Sequence, residues 1–527
     1  MQQKMKKLPI SISTFETLIT GNNVYVDKTR YIHQMASEGL FYFLSRPRRF
    51  GKSLLVSTLK ALFEGRKDLF KGLWIEQADW DWKPHPVLQF DFSGISHGTP
   101  ENLQTGLWLA LNKIAQDYEI SLSSKLLPES FKEVIIGARR HSNERVVVLV
   151  DEYDKPLITH LGKGQAALEI AKQNREVLRE FYGVLKDGDV NEALQFVFIT
   201  GISKFVRVSI FSELNNLNDL SMHPAYAALV GYTQEELESS FQDFIQRLGE
   251  NKNESYQTVL DKLKVWYNGY RFAREESLVY NPYSVLHVLQ RETFENYWFE
   301  TATPAFLVDL IKEKKYPVPD IENLQLQGTS FSSYDLDHLE LEPLLFQSGY
   351  VTIHGFDGVR YRLGYPNQEV KTSFLGFLYK SLVNIPSTTL KEQYSRLHEF
   401  LAQEELEPFI ETSNAILSAI PYPHVQKQGE SFYHTVFYLM LSASGVLVHT
   451  EALNIRGRVD MEVHFPDKIY IVELKCNQSA KKAIAQIKAK KYFEKYMHGG
   501  KKILLLGINF STRERRIADW RMEVVQA

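Results

Sequence analysis

The stretch FLSRPRRFGKSLL, residues 43–55, decides how the first half of the chain is read. An ordinary phosphate-binding loop runs G-x-x-x-x-G-K-[ST]; Gly51, Lys52 and Ser53 meet its last three positions, and Arg46 stands where its first glycine belongs. The surroundings are those such a loop requires. LFYFLS (40–45) reads as a strand, RPRRF (46–50) as a tight connection and GKSLLVSTLKALF (51–63) as a helix. Lys52 then reaches the terminal phosphates of a nucleotide, Ser53 binds magnesium, and the amides from Arg48 to Ser53 face phosphate at a helix N-terminus. The expected contact set is Arg46, Pro47, Arg48, Arg49, Phe50, Gly51, Lys52, Ser53 and Leu54. Arg46 cuts both ways. A side chain there forces a loop conformation other than the usual tight turn, while the guanidinium groups of Arg46, Arg48 and Arg49 add charge for phosphate oxygens. A pairing with acidic residues elsewhere suits at least one of the three. Binding of ATP is therefore the expectation, and hydrolysis the open question.

Downstream, RVVVLV (145–150) ends in Asp151 and Glu152, a Walker B pattern. Asp151 holds magnesium and Glu152 orients the attacking water; the plain alternative is a carboxylate pair capping a helix. LQFVFITG (194–201) offers Thr200 at its polar end, with Ser203 nearby, as a sensor of the γ-phosphate or simply as a turn residue. Together with PVLQFDFS (86–93), these strands are apolar nearly throughout and separated by helical stretches, which predicts a parallel α/β sheet covered on both faces.

YVDKT (25–29), SRPRRFGKSLL (45–55), VDEYDKPL (150–157), ITGISKF (199–205) and SIFSELNNLNDL (209–220), in this order, resemble the AAA-ATPase-like domain of a bacterial family whose members often carry a C-terminal nuclease domain. The loop is also similar to the GPRRxGKT form of archaeal and STAND-type ATPases. The resemblance implies nucleotide binding, and assembly into a homo-oligomer in which a neighbour's arginine completes the site; within the chain Arg207 is the candidate finger.

From about residue 230 the pattern turns helical. Thr233 and Glu236 have capping-box spacing, and Asn281 with Pro282 opens a further helix. Residues 335–364 place a helix before two short strands joined at FDG, which reads equally as a winged-helix-like module or as a hairpin packing two domains together. The expected domains are 1–225, an ATPase-like P-loop domain; 226–330, a helical lid or connector; 331–415, a winged-helix-like and helical linker region; and 416–527, a nuclease-like domain.

The last of these rests on GRVDMEVHFPDKIYIVELK (457–475). Glu473 and Lys475 are two apart on a strand and share a face. With His464 opposite Ile469 across the PDK turn, Asp460 falls opposite Glu473; a slip of one residue would move it to the other face. Two acidic ligands of this kind make a hard magnesium or manganese site, with Lys475 orienting the nucleophile or neutralising charge. A preceding helix carries Glu430 and His434, and a following one Gln486. The αβββαβ order and these residues resemble the PD-(D/E)xK nuclease superfamily, which implies a restriction-endonuclease-like fold. It also implies Asp460, Glu473 and Lys475 as the core triad, Gln486 as its support and Glu430 as an extra metal ligand, with His434 competing for that place. Val459 stands where the motif name has proline.

Composition sets the outer limits. Hydrophobic residues at 44% and charged residues at 24% are ordinary globular values, so disorder is not the default. One cysteine, Cys476, excludes an internal disulfide framework or a cysteine zinc site. The apolar runs are far below membrane-spanning length and no signal peptide is evident, so a cytoplasmic protein with no membrane partner is expected. The net charge of -3 argues against general coating of nucleic acid, yet residues 416–527 carry 17 Lys and Arg against 10 Asp and Glu. That concentration raises nucleic acid, DNA foremost, as a partner, and Lys481, Lys482, Lys488, Lys490, Lys491 and Lys495 are either phosphate contacts or a solvated face. The functional expectation is an ATP-dependent, metal-dependent nuclease in defence or mobile-element handling; the alternative is a nucleotide-controlled switch or nucleic-acid-binding protein that cuts nothing.

Overall fold

The computed structural model describes residues 6–525 apart from 205–215, 299–306, 332–338, 383–386, 421–429, 455–456 and the single positions 309, 312, 313, 315, 317 and 498. The chain divides into two compact units: residues 1–310 with 324–369, and residues 311–323 with 370–527.

The first unit is built on five parallel strands, β1 (Phe41–Ser45), β2 (Val87–Asp91), β3 (Val146–Asp151), β4 (Leu194–Gly201) and β5 (Asn218–Asp219), in the spatial order β2-β3-β4-β1-β5. Every residue of β1 and β3 is buried, which is why both read as unbroken apolar runs rather than as alternating ones. Four of these strands lie where the sequence predicts them, within a few residues at the ends; the two-residue β5 was not foreseen, being too short to carry a pattern. Helices follow the strands, with Lys52–Phe63 directly after the phosphate loop. Strand β4 is inserted between β1 and β3, so the loop and the Walker-type carboxylates leave the same edge of the sheet one strand apart. Ligands of open parallel sheets bind beyond that edge.

Helices Gln234–Lys252, Tyr256–Tyr267 and Pro282–Arg291 bury Leu237, Phe241, Leu263 and Val288 together with Val24 and Val26 from the start of the chain. Thr233 and Glu236 form the full capping box, and the Asn281 side chain accepts from the amide of Ser284 with Pro282 in the first turn. Helix Leu341–Ser348 precedes the hairpin β7 (Thr352–Phe356) and β8 (Arg360–Gly364), as read from the sequence. A third strand, β6 (Leu324–Gln327), pairs with the other edge of β8 and makes a three-stranded antiparallel sheet.

In the second unit helix Glu430–Ala443 leads into β9 (Leu447–Asn454), β10 (Gly457–His464) and β11 (Lys468–Cys476). Helix Ala480–Lys490 then crosses to β12 (Lys502–Ser511), and β13 (Arg516–Val524) closes the order β13-β12-β11-β10-β9. Strands β11 and β12 are parallel and the other pairs antiparallel, so the helix between them is an ordinary crossover. Ile484 and Ile487 of that helix pack on Val459, Ile469, Ile471, Ile503 and Leu505 of the sheet. The interleaved segment 311–323 is held in the same unit by Glu322, whose carboxylate takes the Lys371 ammonium at 2.5 Å and the Tyr438 hydroxyl at 2.6 Å. Among the described residues no helix is long and apolar enough to cross a membrane.

Candidate active sites

In the first unit, the loop after β1 turns on two left-handed residues, Arg49 (φ 68°) and Gly51 (φ 94°). Gly51 is the N-cap of helix Lys52–Phe63, where a glycine takes this conformation without strain and Arg49 does so only at a cost. The Lys52 ammonium is nearly buried and donates to the carbonyls of Arg46 and Pro47, both at 2.9 Å, so it is folded back over the loop. Burial lowers its pKa, opposed by the charges of Asp151, Asp154 and Glu152. At the end of β3 burial raises the Asp151 carboxyl, while a hydrogen bond from Ser53 and the charge of Lys52 pull it back. Glu152, also left-handed (φ 51°), donates its amide to Asp151 Oδ1 at 2.9 Å and pairs with Lys155 at 3.2 Å. A cavity of about 490 Å³ opens here, lined by Arg48 to Leu54, Asp151, Glu152 and Lys155 together with Ile12, Tyr25, Val26, Tyr232, Tyr283 and Leu286. Charged groups combined with apolar and aromatic walls suit a phosphate chain carrying a flat ring. The ammonium, the serine–aspartate pair and the capped helix fit a nucleotide and a divalent cation.

Among the expected contacts Arg46, Pro47 and Thr200 do not line the cavity. Arg46 is 1% exposed and does not line the cavity. Its guanidinium donates to the carbonyls of Ser45 (3.0 Å), Ser221 (2.6 Å) and Tyr226 (3.3 Å) and lies 4.3 Å over the Phe272 ring. Burial holds its pKa down to about 9, so the group remains a cation at neutral pH. Its backbone is not left-handed, and this loop makes its turn without a glycine at position 46. Phe50 lines the cavity and packs its ring against Tyr270 and Phe272. Thr200 is fully buried and donates its hydroxyl to Leu44 O at 2.8 Å, stitching β4 to β1 instead of facing the cavity. Ser203 is held by Asp154. Pro47 contributes its carbonyl to Lys52, and Arg207 lies outside the described residues.

Asp154 was not foreseen. Its Oδ2 accepts from the Ile202 amide (3.0 Å), the Ser203 amide (2.7 Å) and the Ser203 hydroxyl (2.7 Å), fixing the end of β4 against the Walker-type strand. The spacing VDEYD already contained it, three residues past Asp151.

In the second unit the β10–β11 register is the expected one, with His464 opposite Ile469 and Met461 opposite Val472. Asp460 Oδ2 accepts from the Leu474 amide at 2.7 Å, and Glu473 Oε1 takes the Lys475 ammonium at 2.9 Å. Burial, then the charge of Asp460, push the Glu473 carboxyl up to about 7, with Lys475 opposing. Among the described residues Glu473 Oε2 is buried with no hydrogen-bond donor in bonding geometry, while the Asp460 main chain also pulls the carboxyl's pKa down. An orphaned carboxylate oxygen beside a second carboxylate fits a hard divalent cation that completes its shell with water and phosphate oxygens. His434 approaches Asp460 Oδ1 with its Nε2 at 3.8 Å, whereas the Glu430 side chain lies outside the described ones. Gln486 hydrogen-bonds Tyr492, a nearly buried phenol that feels Glu473, Asp460 and Lys475 and that sequence reading missed. Of the lysines, Lys488 pairs with Glu523, Lys491 with Glu494 at 2.8 Å and Lys495 with Glu462 at 2.8 Å, while Lys481, Lys482 and Lys490 are exposed.

Two family descriptions match the chain. "Predicted AAA-ATPase" covers residues 9–211 and "PD-(D/E)XK nuclease superfamily" covers residues 428–520. A protein of Azotobacter chroococcum mcd 1, described as an uncharacterized protein in the vnfD 5' region, is 37% identical over 530 residues, covering 98% of this chain and 99% of that protein. Tyr232, Pro282 and Tyr283, which wall the cavity, lie beyond the first matched range.

Proposed function

The chain belongs to the family that joins a predicted AAA-ATPase domain to a PD-(D/E)xK nuclease superfamily domain, and from that premise we propose an ATP-binding nuclease that cleaves phosphodiester bonds of nucleic acid, DNA foremost, with a divalent metal. Domains of these two kinds generally use a nucleotide and a divalent metal. The observation that carries the reading in the second unit is the buried Glu473 carboxylate beside Asp460 and Lys475, whose Oε2 has no donor in bonding geometry among the described residues.

In the first unit Lys52 swings its ammonium from two loop carbonyls to phosphate oxygens, Ser53 and Asp151 hold the cation side of the nucleotide, and Glu152 orients water. The amides of Arg48–Ser53 donate to phosphate. In the second unit Asp460 and Glu473 hold the metal, and Lys475 positions the attacking water or neutralises the developing charge. When bound, the metal supplies Lewis acidity and a lowered water pKa. The exposed Lys481, Lys482 and Lys490 contact backbone phosphates without reading sequence. Defence or handling of mobile elements is the setting this chemistry suits.

Purified protein is incubated with plasmid, single-stranded DNA and RNA, with Mg²⁺ or Mn²⁺ and with or without ATP, beside Asp460→Ala, Lys475→Ala and Lys52→Ala. Wild type cleaves, and the Asp460 and Lys475 variants do not. Equal degradation by wild type and Asp460→Ala removes the nuclease reading and favours a non-cleaving switch; unchanged ATP affinity and turnover in Lys52→Ala removes the nucleotide reading.

A further inference from the structure

Glu369 is a buried carboxylate that neither chemistry uses: it is fully inaccessible and lies in the first turn of helix Gln368–Leu382. Glu369 is the last residue of the first unit and Val370 the first of the second, so one helix carries the chain from one to the other. Both of its oxygens are engaged within the first unit. Oε1 accepts from the main-chain amide of Trp298 at 2.7 Å, and Oε2 from the Ser284 hydroxyl at 2.8 Å.

Each partner leads back to the nucleotide cavity. Trp298 is the largest fully buried side chain among the described residues, and its indole Nε1 donates to the carbonyl of Arg48 at 3.0 Å. Ser284 follows Pro282 and Tyr283, which line the cavity, and the Arg49 guanidinium lies 4.9 Å over the Tyr283 ring. The Arg48 carbonyl belongs to the same planar peptide as the Arg49 amide. If that amide turns toward a bound phosphate, the carbonyl turns with it, and the bond to Trp298 lengthens or strengthens. Behind the loop there is little slack: a Cβ on Gly349 would lie 2.7 Å from Pro47 Cβ and 3.4 Å from Trp298 Cζ2. Burial raises the Glu369 carboxyl to about 7, opposed by hydrogen bonds from the Trp298 amide, the Ser284 hydroxyl and the Tyr297 main chain, all uncharged donors.

We infer that Trp298 and Glu369 are positioning residues that link the state of the nucleotide loop to the helix entering the nuclease unit, so that nucleotide binding regulates cleavage through them. This rests on the functional reading above, and it adds the route and its residues.

The test uses the full chain and three variants. Trp298→Phe keeps an aromatic ring, smaller than the indole, and deletes the N–H; Glu369→Ala deletes both acceptors; Glu369→Gln keeps an acceptor for the Trp298 amide and supplies a donor to Ser284 Oγ. ATP affinity is measured by calorimetry, and plasmid cleavage with Mn²⁺ is measured with and without ATP. The ratio of cleavage rates with and without ATP is the readout, since a merely structural role would lower both rates together. Wild type is expected to show a ratio that departs from unity by about 10-fold or more. Trp298→Phe and Glu369→Ala are expected to bind ATP with the ratio collapsed toward unity, and Glu369→Gln to restore it. Intact ATP binding with the wild-type ratio in both Trp298→Phe and Glu369→Ala overturns the relay alone. A wild type that binds ATP and cleaves at a rate indifferent to it does so as well. A wild type that binds no ATP or cleaves nothing overturns the functional reading and the relay with it.

Discussion

Replacing Arg46 by glycine restores the residue that ordinary phosphate loops carry at this position, and the structure predicts a loss of stability with no gain in nucleotide affinity. The guanidinium satisfies three main-chain carbonyls, of Ser45, Ser221 and Tyr226, in a site sealed from water. Each such bond contributes about 1 kcal/mol net, and a buried carbonyl left without a donor costs about 1–3 kcal/mol. The ring contact with Phe272 and the void left by the side chain add to this, while removing a desolvated charge gives some back. A net destabilisation of about 3–5 kcal/mol follows. Urea unfolding monitored by circular dichroism reads it as a lower midpoint at unchanged slope, and ATP titration of the folded variant should give an affinity within about 3-fold of wild type, as expected of a group that does not touch the ligand. An Arg46→Gly protein as stable as wild type but unable to bind ATP would refute this reasoning and return Arg46 to the phosphates.

Thr200→Val should leave ATP affinity and turnover unchanged and cost about 1 kcal/mol of stability, because its hydroxyl is committed to Leu44 O; a steady-state ATPase assay in which turnover falls sharply would show that Thr200 does sense phosphate. Asp154→Ala strands the three donors held by one carboxylate oxygen and should cost about 2–4 kcal/mol in urea unfolding, and a loss below about 1 kcal/mol would mean that the end of β4 is fixed by something else. For Glu369 the folded pKa of about 7 lies above the usual 4.5, so the folded state holds a proton that the unfolded chain has released. The contribution is therefore fully present below about pH 4.5 and is lost as pH rises through about 7, amounting at most to about 3 kcal/mol. Glu369→Gln should remove this fall in stability between pH 5 and 8 in denaturant titrations; identical slopes in the two proteins would contradict the assignment.

Much of this architecture was legible because its signals are local. Strands β1 and β3 are buried on both faces and show as apolar runs, Thr233 and Glu236 show a helix start, and the short turn after His464 sets the register that brings Asp460 toward Glu473. The readings that went astray depended on distant partners. Arg46 looked like a phosphate ligand because Ser221 and Tyr226, 175 and 180 residues away, supply the carbonyls that claim it. Thr200 has its acceptor on β1, 156 residues earlier. Strand β6 escaped notice because four residues, LQLQ, find a partner only across the hairpin at β8. Trp298 and Glu369 have no motif at all; their meaning arises only when 250 residues of separation close into one hydrogen bond to Arg48.

The interleaving of the two units bears on how this chain is made and cut. Residues 311–323 belong with the C-terminal sheet but are translated before residues 324–369 have completed the first unit. During synthesis the ribosome therefore releases a segment whose partners do not yet exist, and Glu322 waits for Lys371 and Tyr438 to emerge. A protease nick or a truncation at residue 370 would not liberate the second unit intact. The fragment would keep Asp460, Glu473 and Lys475 yet leave behind the carboxylate that anchors Lys371, Tyr438 and Thr450, so producing the second unit by itself calls for retaining 311–323.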